Sequence, residues 1–242
     1  MKLTDHKVLT FDCYGTLIDW ESGVFLASEP LRTLGRLNLS RDQQLEAFAK
    51  HESPVQTETP GMLYPDVLAE VHRRMAADFG VTDATEEDHV RFGNSVYYWP
   101  AFADSAEALR RLQKHFKLVI LSNVHRAGFA ASNRRLGVTF DRIITAEDVG
   151  SYKPTPRNYE VMVDEMAAMG IDKSEILHTA ESLYHDHWRC GEMGITRAWI
   201  YRRHDQEGFG NTRPVETEVK PEYVFHSMAE MADAVEAETA AG

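Results

Sequence analysis

From Trp99-Pro100 onward, two kinds of segment take turns along the chain, short apolar β-branched runs and longer amphipathic stretches. "KLVILSN", "RIITA", "EILHTAES" and "TRAWIYR" read as strands, while "SAEALRRLQKHF", a stretch to about Leu136, "RNYEVMVDEMAAMG" and a segment to Met193 read as helices. "YVFHS" then precedes a last helix. Such alternation requires a parallel sheet covered on both faces, because each parallel return needs a crossover. "VLTFDCYGTLIDW", residues 8–20, adds a strand that turns at Gly15. Residues 17–99 contain no convincing strand. Ser40 followed by "RDQQLEAFAKHE" reads as a capped helix, "YPDVLAEVHRRMAADFG" as one that stops at a glycine, and Asp104 as the cap of the helix after it. The expectation is an α/β protein: a doubly wound parallel sheet from residues 1–16 and 100–242, with a helical cap domain, 17–99, inserted after the first strand.

Composition narrows the function classes. At 242 residues the chain can bury a sizeable core, and an apolar share of 43% is ordinary for a globular protein. Lys and Arg total 26 against 38 for Asp and Glu, a formal charge of −12. An acidic surface repels phosphate backbones and anionic lipid, so neither nucleic acid nor membrane is expected as a partner. No apolar run approaches the ~20 residues that span a bilayer. "MKLTDHKVLT" carries charges where a secretory signal needs its apolar segment. Cys13 and Cys190 make no disulfide framework. Together these readings place the protein in the cytoplasm.

In open parallel sheets ligands sit at the carboxyl ends of the strands. Here those ends are polar. The first strand ends at Asp12 and the next at Ser122-Asn123; "AEDVGSYKP" carries Lys153, and "TAESLYHD" carries Glu181, Ser182 and Asp186. Taken singly, each has an ordinary explanation. Asp12 could form a turn, Ser122-Asn123 an N-cap, Lys153 a solvated loop, and Glu181 and Asp186 a favourable helix start. Their convergence on one sheet edge outweighs those readings.

The group can carry out covalent hydrolysis. Asp12 can act as a nucleophile and form an ester or anhydride. Lys153 supplies a compact positive charge, Ser122, Asn123 and turn N–H groups can bind an anion, and Asp186 can hold or deprotonate the water. The helical insertion would then exclude bulk water and contribute specificity.

"FDCYGT", "LSN", "YKP" and "ESLYHD", in this order and spacing, resemble the four motifs of the haloacid dehalogenase (HAD) superfamily across the whole chain. The resemblance implies a Rossmann-like core with a helical cap. It makes Asp12 the nucleophile, Ser122 and Asn123 the binders of the substrate's anionic end, Lys153 the charge balance and Asp186 the acid of the fourth motif. Superfamily phosphatases carry a second aspartate where this chain has Tyr14, and a tyrosine with a pKa near ~10 is a poor acid. Tyr14 and Tyr159 match the 2-haloacid dehalogenase-like branch, which attacks carbon without a metal. Two features depart from it: Glu181-Ser182 stands where a serine/asparagine pair is usual, and Arg41 matches the halide-binding arginine only locally. A narrower resemblance, carried by "FDCYGTLIDWE", "ESPVQTETPGMLY", "DVGSYKP" and "ILHTAESLYHDH", is to the L-azetidine-2-carboxylate hydrolases of this branch. It implies ring opening to 4-amino-2-hydroxybutyrate through an alkyl ester, with (S)-2-haloacid dehalogenation as the alternative.

The two substrates ask for opposite charges. A departing ring nitrogen should stay protonated, with Glu181 the first candidate to favour it and Asp19 and Glu52 behind. A departing halide wants donors and positive charge. Tyr14, Trp20, Tyr64 and Trp99 could form an apolar wall that also favours a cation, or Trp99 could simply pack the cap. The binding set is therefore Tyr14, Trp20, Ser122, Asn123, Tyr159, Glu181 and Ser182. The expected partner is a small-molecule carboxylate, and "SAEAL" and "MADAV" could serve a homodimer face as well as the core. No cofactor is expected; Mg²⁺ would be needed only by a phosphatase, held by Asp12, Glu181 and Asp186. "HDH" at 185–187 with His178 matches no common zinc spacing. His125 reads as a loop residue near the pocket and Cys13 as packing. A silent binding protein would have no use for a nucleophile with its counterion.

Overall fold

A computed structural model describes residues 1–206, 210, 215 and 218–241. After β1 (Val8–Phe11) come α1 (Trp20–Ala27), α2 (Glu29–Leu34), α3 (Arg41–Glu58), α4 (Tyr64–Asp78) and α5 (Glu86–Gly93), with no strand among them. Then follow α6 (Ser105–Leu112), β2 (Lys117–Ser122), α7 (Arg126–Leu136), β3 (Arg142–Thr145), α8 (Ala146–Val149) and α9 (Pro156–Ala168). The chain continues with β4 (Ile176–Ala180), a π-helical turn over Leu183–His187, α10 (Trp188–Glu192), β5 (Thr196–Ile200), β6 (Tyr223–Phe225) and α11 (Met228–Ala241).

The six strands lie in the order β3-β2-β1-β4-β5-β6, all parallel. This is the doubly wound order, whose direction of travel reverses between β1 and β4. Those two strands pair with Phe11 opposite Thr179, so Asp12 and the turn after Ala180 leave the sheet side by side. Both strands are buried along their length, as covered parallel strands must be. Tyr223–Phe225 extends the sheet as its edge strand.

Helices begin and end for local reasons. Ser40 and Gln43 form a capping box on α3, and Gly80, at φ 66°, follows the end of α4. Asp104 differs from expectation: it makes no side-chain cap to α6. Its carboxylate instead accepts both Arg202 Nη1 contacts at 3.0 Å and the Ala229 N–H, tying the start of α6 to the strand-β5 exit and α11. The α6 and α11 segments pack on one another, with Leu109, Leu112, Met231 and Val235 in the core and Arg111 bridging to Asp233 and Glu236. Cys13 and Cys190 are buried free thiols. Among the described residues no helix is long and apolar enough to cross a membrane.

Candidate active site

Asp12 follows β1 directly, and the chain then turns back at Gly15, whose φ of 97° is open to glycine and costly for other residues. The turn returns Thr16 to Asp12: its hydroxyl donates to Asp12 Oδ2 at 2.7 Å and accepts the Glu181 N–H at 2.9 Å. The same hydroxyl thus joins the ends of β1 and β4.

Lys153 reaches this point from the loop after α8. Its Nζ donates to Asp12 Oδ1 at 2.9 Å, to Asp186 Oδ1 at 2.7 Å and to the Leu121 carbonyl at 3.0 Å. All three side chains are buried. Burial alone would strip the charge from Lys153, but the two carboxylates outweigh it and hold the ammonium well above its ordinary pKa. Burial pushes Asp12 up, and Asp186 adds to this against the pull of Lys153 and Thr16. For Asp186 burial also acts upward, yet Lys153 and His178 prevail and hold it below the usual carboxylate range. A cationic side chain therefore stands between the two carboxylates and offsets their charge. Among the described residues no group of three or more His, Cys, Asp or Glu converges to hold a metal ion.

Asn123 positions the lysine. Its side-chain oxygen accepts the Lys153 N–H at 2.6 Å and its amide donates to the Lys153 carbonyl at 3.0 Å. Asn123 also lines the cavity described below. Ser122 Oγ is buried with no partner among the described residues. Ser182 caps the π-helical turn by accepting the His185 N–H at 2.9 Å.

Asp12, Lys153 and Asp186 line a small cavity together with Tyr14, Trp20, Asn123 and Ser182, closed from the insertion by Glu52 and Tyr64. Tyr14 is no acid here: burial drives its phenol well above its ordinary pKa, and its hydroxyl pairs with Ser132 Oγ at 2.8 Å. Trp20 Nε1 is buried without a partner among the described residues, a donor available to an anionic group of the substrate. Glu52 accepts the Tyr64 hydroxyl at 2.7 Å. Burial, with the nearby Asp12 adding to it, pushes the Glu52 carboxyl up to about 7.

Several residues named in the sequence reading lie outside the cavity lining. Tyr159 sits behind the cavity, its hydroxyl donating to the His185 carbonyl. Trp99 packs edge-on against Tyr14 and Tyr64, over Gly23, and is not part of the wall. Asp19 is the N-cap of α1, accepting the Ser22 N–H at 3.0 Å. Glu181 serves the site through its backbone, its carbonyl accepting the Trp199 indole N–H at 2.7 Å. Arg41 lies over the Phe25 ring and donates to Ser22 Oγ, outside the cavity lining. His125 accepts or donates at the Tyr97 hydroxyl, 2.8 Å away. The residues missed by sequence reasoning are Thr16, four positions after the nucleophile in the quoted motif, and the imidazole of His178 as a partner of Asp186.

Two buried carboxylates sharing one lysine stand at the reversal point of a doubly wound sheet, an arrangement that carries its own charge balance. The chain belongs to the haloacid dehalogenase-like hydrolases: the model of that family matches residues 6–179. It is 28% identical over 234 residues to the (S)-2-haloacid dehalogenase of Pseudomonas putida, covering 93% of this chain and 94% of that one. To the (S)-2-haloacid dehalogenase of Pseudomonas sp. (strain YL) it is 29% identical over 203 residues, covering 81% and 83%. Its fold matches that of the Xanthobacter autotrophicus L-2-haloacid dehalogenase with chloropropionic acid covalently bound, at TM-score 0.74 and 17% identity over 96% of this chain and 98% of that one. A defluorinating L-2-haloacid dehalogenase matches at TM-score 0.76 and 15% identity, covering 97% and 98%. The chain is thus a hydrolase of the 2-haloacid dehalogenase type.

Proposed function

We propose that the protein replaces a leaving group at C2 of a small 2-substituted carboxylic acid by hydroxyl. The observation that carries this reading is Asp12 held between Thr16 and Lys153 in a small cavity, with a tyrosine in place of a general acid. An Asp12 carboxylate oxygen attacks C2 in line, the bond to the leaving group breaks with its electron pair, and an alkyl ester of Asp12 remains. Water then adds to the ester carbonyl, giving up a proton to Asp186; the alkyl–oxygen group departs, takes a proton, and Asp12 is restored. The product hydroxyl oxygen comes from Asp12, and attack from the rear inverts C2. No step requires a metal, since Lys153 offsets the charge on the two carboxylates. The catalytic set is Asp12, Lys153 and Asp186, the substrate is bound among Tyr14, Trp20, Asn123 and Ser182, and residues 17–99 act as the cap on a core of 1–16 and 100–242.

For the leaving group, the curated relatives favour halide over the ring amine, and (S)-2-haloacid dehalogenation is the first reading. Trp20 Nε1 supports it as a free donor for an anion. A second reading, ring opening of L-azetidine-2-carboxylate, is supported by Glu52. A carboxyl buried 4% exposed, near Asp12 and bonded only to a tyrosine hydroxyl among the described residues, suits a departing ammonium and repels a departing halide.

Purified, metal-free protein should be incubated separately with L-2-chloropropionate, L-azetidine-2-carboxylate and a generic phosphate ester. Chloride release that Asp12→Asn abolishes supports the first reading. An amine-bearing hydroxy acid, also lost in Asp12→Asn, supports the second. The two differ further in proton balance: halide displacement acidifies an unbuffered solution, whereas ring opening of the ammonium form leaves its proton on the product amine. Phosphate release that depends on Mg²⁺ would overturn both.

A further inference from the structure

A histidine stands in the middle of β4, where the strand is buried on both faces and otherwise reads Ile, Leu, Thr and Ala. His178 pairs in register with Thr10 of β1. Its Nδ1 lies 2.8 Å from Thr10 Oγ1, and its Nε2 lies 2.8 Å from Asp186 Oδ1. An ionised Asp186 offers no proton, so Nε2 carries the hydrogen and donates. In the neutral ring Nδ1 then accepts from the Thr10 hydroxyl. Asp186 Oδ1 is thereby held by two donors, Lys153 Nζ and His178 Nε2, while Oδ2 is buried with no partner among the described residues.

We infer that His178 is a positioning residue for the second half of the reaction, holding Asp186 so that Oδ2 is the oxygen presented to the hydrolytic water. The inference rests on the Asp12 ester proposed above. Lys153 alone cannot fix the carboxylate. It is shared with Asp12, and its hold on Asp186 must change when Asp12 loses its charge on becoming an ester. His178 bonds Asp186 and, among the described residues, makes no hydrogen bond to Asp12, so its hold is the same in both states. Thr10 in turn keeps the ring from rotating. Asp186 itself sits in a π-helical turn, a geometry that occurs frequently at functional sites.

As a core histidine satisfied on both nitrogens, His178 would affect stability and slow both halves of the reaction equally. A positioning residue slows one half. Rapid quenching with intact-protein mass measurement separates them, using whichever of L-2-chloropropionate and L-azetidine-2-carboxylate the wild type consumes. His178→Phe keeps the ring volume and removes the donor; His178→Gln keeps an N–H near the Nε2 position. The Asp12 ester should form in His178→Phe within a few-fold of the wild-type rate but hydrolyse roughly 10- to 100-fold more slowly, as expected for loss of a hydrogen bond to a charged group. Ester would therefore accumulate in His178→Phe, and His178→Gln should restore most of the rate. Equal slowing of both halves, unchanged hydrolysis in a folded His178→Phe, or failure of a stably folded His178→Gln to rescue would overturn the inference. Thr10→Val removes only the Nδ1 partner and covers the case in which His178→Phe does not fold. It should slow ester hydrolysis a few-fold and spare ester formation, and no change would count against the role. Absence of any ester in the wild type during turnover would instead overturn the covalent reading, and this inference with it.

Discussion

The sheet edge and the helical insertion contribute buried carboxyl groups to the same cavity, but they treat them in opposite ways. At the edge, Asp12 and Asp186 are buried with a shared ammonium, and hydroxyl, imidazole and backbone groups complete the set. In the insertion, Glu52 is buried with a tyrosine hydroxyl alone. The first arrangement carries its own counterion and is poised for chemistry before any substrate arrives. The second lacks a counterion among the described lining residues and is completed either by a proton or by a cationic substrate group. On the proposed reading, the core sets the reaction type and the insertion the choice of leaving group.

The largest break in this contrast should come from the edge. Asp12→Asn should lower turnover by at least ~10⁴-fold, because it removes the carboxylate that Thr16 and Lys153 hold for ester formation. Lys153→Met should cost stability as well, by about 3–5 kcal/mol, since it leaves two buried carboxylates facing each other without their cation. Urea titration at neutral pH checks this, and a melting profile equal to wild type would mean that the pair is balanced by something other than Lys153.

At Glu52 the effects are smaller and depend on pH. Its folded-state pKa of about 7 lies above the ordinary 4.5, so folding favours the protonated form. This contribution is complete below about 4.5 and is lost as the pH rises through about 7, amounting to about 3 kcal/mol. Glu52→Gln should abolish that decline, leaving the variant more stable than wild type at pH 8 and near equal at pH 4. The substrate comparison sharpens the same point. On the ring-opening reading, kcat/KM for L-azetidine-2-carboxylate rises through pH ~7 in the wild type and falls about 10- to 100-fold in Glu52→Gln. On the halide reading, removing the charge leaves chloropropionate turnover unchanged or faster.

What the sequence disclosed follows the same division. Asp12, Lys153 and Asp186 were legible because each stands at the end of an apolar strand, or in the loop after one, where a charge has no packing role. The sheet was legible from alternation, and α3 from Ser40 and Gln43. Glu52 ranked only beside Asp19 and behind Glu181, because a glutamate in "FAKHESP" reads as a solvated helix face until Tyr64, twelve residues on, closes over it. Glu181 seemed better placed, yet its backbone N–H is what reaches Thr16, and Asp19 caps a helix. Trp99 looked like a pocket wall, but Gly23 lets α1 approach so closely that the indole is packed away. The role of His178 was not legible, because its partner Thr10 is 168 residues distant, a pairing that only sheet register creates.

The smallest expected effect tests whether the insertion's frame can be separated from its chemistry. Ser40 begins the helix that carries Glu52, and its side chain accepts the Gln43 N–H at 3.2 Å while Gln43 reaches back to the Ser40 N–H at 2.9 Å. Ser40→Ala removes one half of this box at an exposed end, which should cost about 1 kcal/mol and lower Tm by roughly 2–4 °C. Glu52 lies three turns further along, on the buried face with Phe48 and Val55. Fraying at Ser40 should therefore leave it in place. The ratio of rates on the two candidate substrates should not move in Ser40→Ala, whereas Glu52→Gln shifts it. A change in that ratio with Ser40→Ala would mean that the whole helix, and not its one buried carboxyl, selects the leaving group.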